Sequence, residues 1–107
     1  MAFFELRQYR VRPGQRDAWQ KLMEEEIAPF QISKGMVISG MFFGEEDKDL
    51  FVWLRRFESE KERERLYDSV YQNEVWKNDI GPRVGEVIYI EQIKVTRIEA
   101  TPKSVLR

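Results

Sequence analysis

The stretch Leu50–Phe57, LFVWLRRF, constrains the fold more than any other part of the chain, because it is largely apolar on both faces of a strand. Side chains alternate across a strand, so Phe51, Trp53, Arg55 and Phe57 share one face and Val52, Leu54 and Arg56 the other. A half-solvated strand alternates apolar with polar residues; this one does not, so each of its faces needs a cover. The next residues supply one cover. Ser59 and Glu62 have the spacing of a capping box, in which the serine hydroxyl accepts from a free backbone N–H of the first helical turn. Glu60 and Glu62 also suit the positive end of the helix dipole. Leu66 and Val70 share a helix face at i, i+4, flanked by Arg63, Tyr67 and Tyr71, while Lys61, Glu64 and Arg65 form the solvated side. Asn73 is placed to cap a second short turn holding Val75 and Trp76. Gly81-Pro82 is expected to stop helical structure there.

The rest of the chain repeats this alternation. Phe3–Val11 reads as a first strand, again with no purely polar face, and Pro13-Gly14 breaks it. Trp19, Leu22, Met23, Ile27 and Phe30 fall on one stripe of a helix that Pro29 is expected to end or kink near Ala28. Residues 32–35 read as a loop and Met36–Phe43 as a second strand, where Gly40 marks a bulge or a close backbone approach. Residues 44–49 form a polar hairpin loop into Leu50–Phe57. Val87–Ile98, rich in β-branched residues, reads as a fourth strand of about twelve residues, well beyond the usual five or six.

The order is β-α-β-β-α-β, an α+β arrangement. With right-handed crossovers it is the split-βαβ, ferredoxin-like sandwich: one antiparallel sheet with both helices on one face. Residues 1–98 are expected to form a single domain, with residues 99–107 as a C-terminal tail or arm. Helices on one face leave the other bare, and its residues are apolar. The simplest cover is a second copy, which predicts a homodimer by sheet-to-sheet packing, with the long fourth strand helping to join the copies.

Composition removes whole classes of chemistry. A chain of 107 residues suits one domain, and a net charge of −1 leaves no basic stripe for nucleic acid. There is no cysteine, so no disulfide or thiol chemistry, and no histidine, which removes the commonest general base, metal ligand and haem ligand together. The acidic turn Glu45-Glu46-Asp47-Asp49 lacks the alternating ligands and central glycine of a calcium loop. No nucleotide loop, serine elbow or zinc pair is present. The expectation is no metal and no cofactor. No apolar run is long enough for a membrane span, and no signal-peptide pattern opens the chain, so a cytoplasmic location is expected.

The run Glu5-Leu6-Arg7-Gln8-Tyr9 with Pro13-Gly14, then Gly40 and Phe42, then Phe51-Val52-Trp53-Leu54-Arg55 with Phe57, and finally Arg63, Tyr71 and Val75-Trp76-Lys77, resembles the NIPSNAP family of the dimeric α/β-barrel superfamily. The resemblance covers roughly Phe4 to Ile90 and lies in order and spacing rather than in any single piece. It implies a ferredoxin-like protomer whose sheet packs against a second sheet. It also implies a ligand site between sheet and helices, as in the cofactor-independent monooxygenases and isomerases of the superfamily. NIPSNAP-like proteins themselves have a mostly undefined biochemical role. The chain departs from the common pattern after the Trp-Lys pair, where Asn78-Asp79 stand in place of a histidine.

The candidate ligand-binding residues are Arg7, Tyr9, Trp53, Arg55, Tyr67, Tyr71 and Trp76. Arg7 and Arg55 lie on strands with apolar neighbours. They read either as fixed cations for a carboxylate or enolate, or as partners of Glu5 or Glu91 in the sheet or at a dimer seam. The aromatic residues read as a pocket wall or as core between the sheet and the second helix. Glu26 reads as the edge of an exposed glutamate run. Two functions remain open: a binding or interaction module with a small organic ligand, or a cofactor-independent monooxygenase or isomerase acting on a small aromatic or enolate-type substrate. The latter would take Tyr67 or Tyr71 as proton donor. The lack of histidine and cysteine favours the module.

Overall fold

Register decides which side chains meet in this protein. In the computed structural model, which describes residues 2–107, β1 (Phe3–Arg10) lies antiparallel to β3 (Leu50–Phe57). Phe3 faces Phe57, Glu5 faces Arg55, Arg7 faces Trp53 and Tyr9 faces Phe51. β2 (Val37–Phe43) flanks β3 and β4 (Lys94–Ile98) flanks β1, giving one antiparallel sheet in the order β2-β3-β1-β4. α1 (Arg16–Leu22), α2 (Ala28–Ser33), α3 (Glu60–Tyr71) and α4 (Gly81–Val87) complete the ferredoxin-like βαββαβ fold. The capping box forms: the Glu62 N–H donates to the Ser59 hydroxyl at 3.1 Å. Asn73 caps the next turn through its side-chain oxygen, 2.8 Å from the Val75 N–H. The β2–β3 register slips between Ile38 and Gly40, which is the bulge that the glycine marks.

Three expectations need correction. Pro29 does not end the first helix, and Gly81-Pro82 does not stop the helical turn that follows Asn73. α1 runs through a π-helical turn, Met23–Ile27, straight into α2, and a second π turn, Trp76–Ile80, runs straight into α4. The same device accommodates both prolines. The Ala28 N–H bonds to the Met23 carbonyl and the Gly81 N–H to the Trp76 carbonyl, each five residues back, and the proline follows directly. The widened turn opens the hydrogen-bond ladder where proline has no N–H to give and moves the carbonyls away from its ring.

The third correction is the fourth strand, which is Lys94–Ile98 and not Val87–Ile98. Val87 closes α4, Ile88 makes an isolated bridge to Val11, and Ile90–Gln92 is a 3₁₀ turn. Here anchoring outweighs β-propensity: Tyr89 N–H donates to the Arg10 carbonyl, and Arg12 N–H to the Val87 carbonyl, so the chain is pinned to the end of β1 before it can extend.

On the helix-covered face the core forms two clusters. One gathers Tyr9, Trp19, Met23, Ile27, Phe51 and Ile88; the other joins Phe3, Met36, Phe57, Leu66 and Val70. Each fully buried side chain of this kind contributes about 1.5–3 kcal/mol relative to exposure. On the opposite face Val37 and Phe42 of β2 stay exposed. Residues 99–107 carry no helix or strand and lie back over Phe4, Leu54 and Ile98, where the Arg56 Nε donates to the Arg107 carbonyl at 3.0 Å.

Candidate functional site

Between the two apolar clusters runs a polar seam built on facing strand positions. Glu5 and Arg55, paired across β1 and β3, are both fully buried. Arg55 Nη2 donates to Glu5 Oε1 at 2.8 Å and to the Tyr67 hydroxyl at 2.7 Å. Its Nη1 donates to Gln31 Oε1 at 3.0 Å and to the Tyr71 hydroxyl at 2.7 Å. The Tyr67 hydroxyl donates to the Glu5 carboxylate, 2.8 Å from each oxygen, and Arg63 Nε donates to Oε2 at 2.8 Å. The α3 spacing explains the assembly: Arg63, Tyr67 and Tyr71 follow at i, i+4, i+8 on the face turned to the sheet.

Arg7 is placed differently. Its Nη1 stands 3.6 Å from Glu5 Oε1, an ion pair without a hydrogen bond. Nε donates to the Tyr9 hydroxyl at 3.1 Å and Nη1 to the Tyr67 hydroxyl at 3.3 Å, which leaves Nη2 without a partner among the described residues. Arg7 borders a cavity of about 210 Å³ between sheet and helices, together with Tyr9, Trp53, Tyr71 and Trp76. The two π turns help to frame it, one through Ile27 and the other through Trp76, with Gly81 directly after it. The fit at Gly81 is close, since a Cβ there would stand 2.8 Å from the Trp76 carbonyl oxygen.

Of the sequence candidates, Arg7, Tyr9, Trp53, Tyr71 and Trp76 border the cavity, whereas Arg55 and Tyr67 belong to the sealed seam behind it. Trp53 lies between the two, its ring 4.8 Å from the Arg55 guanidinium carbon and 5.8 Å from that of Arg7. Sequence reasoning does not single out Gln31, which is buried in the seam and on the cavity wall. The signal for it is its i, i+4 spacing from Ile27, legible once the helix is carried through Pro29. Glu26 pairs on the surface with Arg83 at 2.6 Å, and Asp47 of the acidic turn pairs with Arg10 at 2.6 Å. No cluster of carboxylates able to hold a metal occurs among the described residues.

The electrostatics follow the geometry. Burial pushes the Glu5 carboxyl up, but the charge of Arg55 and the hydrogen bonds from Arg63, Tyr67 and Arg55 outweigh it, so its pKa lies below the ordinary value. Burial raises the Tyr67 hydroxyl to about 12, against the opposing pull of Arg55 and Arg7. Tyr9 is likewise raised, chiefly by burial. Both phenols are therefore donors, not bases, at neutral pH.

An antiparallel sheet with helices on one face and a cleft between them defines a ferredoxin-like α+β protein. The sequence profile of the NIPSNAP family matches residues 4–104, and the chain belongs to that family. A NIPSNAP family protein from Agrobacterium tumefaciens superposes with a TM-score of 0.88 at 23% identity, covering 100% of both chains. A second NIPSNAP family protein from that organism, of unknown function, also gives 0.88 at 23%, over 99% of this chain and 94% of its own. A protein from Nitrosomonas europaea, provisionally named an antibiotic biosynthesis monooxygenase, gives 0.72 at 10% identity, over 96% and 93%. No curated protein matches the chain by sequence.

Proposed function

We propose that this NIPSNAP protein is a binding module: a homodimer, formed by sheet-to-sheet packing, that holds a small organic molecule in the cleft of each protomer. The observation that carries the ligand half is the cavity of about 210 Å³, walled by Trp53, Tyr71 and Trp76 and bordered by the incompletely partnered Arg7. Arg7 is the charged anchor of this reading, because both terminal nitrogens of Arg55 are already engaged by Glu5, Gln31 and two tyrosines, and its unpartnered Nε is buried away from solvent. The dimer half is supported by exposed Phe42 and Val37 on the sheet face that no helix covers. No helix of the described residues is long and apolar enough to cross a membrane, and the lack of cysteine fits a reducing, cytoplasmic setting.

A catalytic reading has one observation in its favour. Tyr71 borders the cavity and its hydroxyl is held 2.7 Å from Arg55, the arrangement of a proton donor to an enolate. The test is a small-molecule binding screen on the whole chain, followed by light scattering at micromolar concentration. Binding and a dimer mass are expected. A monomer mass removes the dimer, failure of every compound to bind removes the module, and turnover of a bound compound moves the reading to the enzyme.

A further inference from the structure

The side-chain hydrogen-bond inventory of the cavity wall is one-sided. Each side-chain acceptor on the wall already takes at least one hydrogen bond. Gln31 Oε1 accepts from Arg55, the Tyr71 hydroxyl from Arg55 and Gln31, and the Tyr9 hydroxyl from Arg7. The donors are the reverse. Among the described residues neither Tyr9 nor Tyr71 finds an acceptor for its own proton, and Arg7 Nη2 has none. No carboxylate borders the cavity; Glu5, the seam's buried carboxylate, sits behind the wall and is held by Arg55, Arg63 and Tyr67. The wall therefore offers more unmet protons than free lone pairs, together with one surplus cation.

From this census we infer that the cleft selects a planar, single-ring organic monoanion whose polar atoms are all acceptors, a ring carboxylate or its enolate counterpart. The inference rests on the ligand half of the proposed function and narrows it. Size supports one ring: about 210 Å³ exceeds the ~150 Å³ that holds benzene and falls short of the ~300 Å³ where drug-sized pockets begin. The aromatic walls favour a flat ring, with Tyr71 and Trp76 already edge-to-face at 5.0 Å. Charge and pattern support the acceptor rule. A ligand N–H brought here would meet Arg7 and donor hydroxyls whose lone pairs are already engaged, whereas two carboxylate oxygens match a guanidinium edge and a phenol. A cationic head would add to the existing excess of guanidinium over carboxylate in the seam.

The experiment compares three probes of one shape on the full chain: benzoate, benzamide and benzamidine. Binding is followed calorimetrically and by the indole N–H resonances of Trp53 and Trp76. Benzoate should bind, benzamide more weakly, and benzamidine not at all. Arg7→Met should weaken benzoate about tenfold to a hundredfold, the loss of one charge-assisted contact, and should close the gap to benzamide. The resonance shifts in the unaltered protein carry the test should that variant fold poorly. Benzamidine or benzamide binding as tightly as benzoate overturns the acceptor rule and leaves the cleft a ligand site. So does benzoate binding that ignores Arg7→Met. Failure of all three probes overturns the rule, whereas the module itself falls only if the wider screen also finds no bound compound.

Discussion

Arg55 and Arg7 sit on adjacent antiparallel strands, on the same face, beside the same carboxylate, and the protein uses them in opposite ways. Arg55 faces Glu5 directly across the β1–β3 ladder and spends both terminal nitrogens on four neutral or negative partners. Arg7 faces Trp53 instead, so its charge reaches Glu5 only at 3.6 Å and one nitrogen is left over. A step of two residues along one strand thus separates a sealed ion pair from a cation on a cavity wall.

The sharpest way to break the comparison is to open the sealed side. Arg55→Met leaves Glu5 without its facing cation in the core, and Glu5→Gln leaves Arg55 without its anion. Removing one partner of a buried pair costs about 3–5 kcal/mol, so either variant should lower the urea midpoint severely. Next in size is the pH response. The folded pKa of Glu5 is depressed, so its contribution is full above the unfolded value near 4.5 and is lost as pH falls through the folded one. Tyr67 is raised to about 12, so its contribution is full below the unfolded value of 10.0 and fades as pH climbs from there toward 12. Stability measured across pH should fall at both ends, and Glu5→Gln should flatten the acid limb. A smaller effect tests the platform: Ser59→Ala removes the cap of the helix that carries Arg63, Tyr67 and Tyr71, at a cost of about 1 kcal/mol.

The sheet, the capped second helix and the Gly40 bulge are legible in the sequence because each rests on local chemistry: alternation, a capping box, a strand glycine. What sequence hides has two causes. Under α-helical rules Pro29 reads as an end or a kink and Pro82 as a stop, and only the π turns before them change the rule, a feature with no fixed residue signature. Misreading Pro29 also conceals Gln31, since its stripe with Ile27 crosses that proline. The division of labour between Arg7 and Arg55 is hidden for another reason. Both occupy alternate positions on two-sided strands, and only the pairing register says that Glu5 faces one and Trp53 the other.

The smallest effect on stability should come from Arg7→Met, and it is the one that most tests the contrast. Arg7 loses hydrogen bonds to Tyr9 and Tyr67 on substitution, but its carboxylate contact is long, and the charge of Arg55 opposes its own. One carboxylate behind two inward cations is relieved, not orphaned, when the second cation goes, and methionine can fill the apolar space beside Trp53. The net cost should stay below the roughly 3–5 kcal/mol expected for Arg55→Met, because Glu5 keeps both Arg55 and Arg63. A second readout has a definite sign. The positive charge of Arg7 pulls the Tyr9 and Tyr67 phenols down against burial, so its removal should push both titrations further up by ultraviolet absorbance. If Arg7→Met destabilises as much as Arg55→Met, or the phenols shift downward, Arg7 belongs to the sealed seam and the cavity has no free cation.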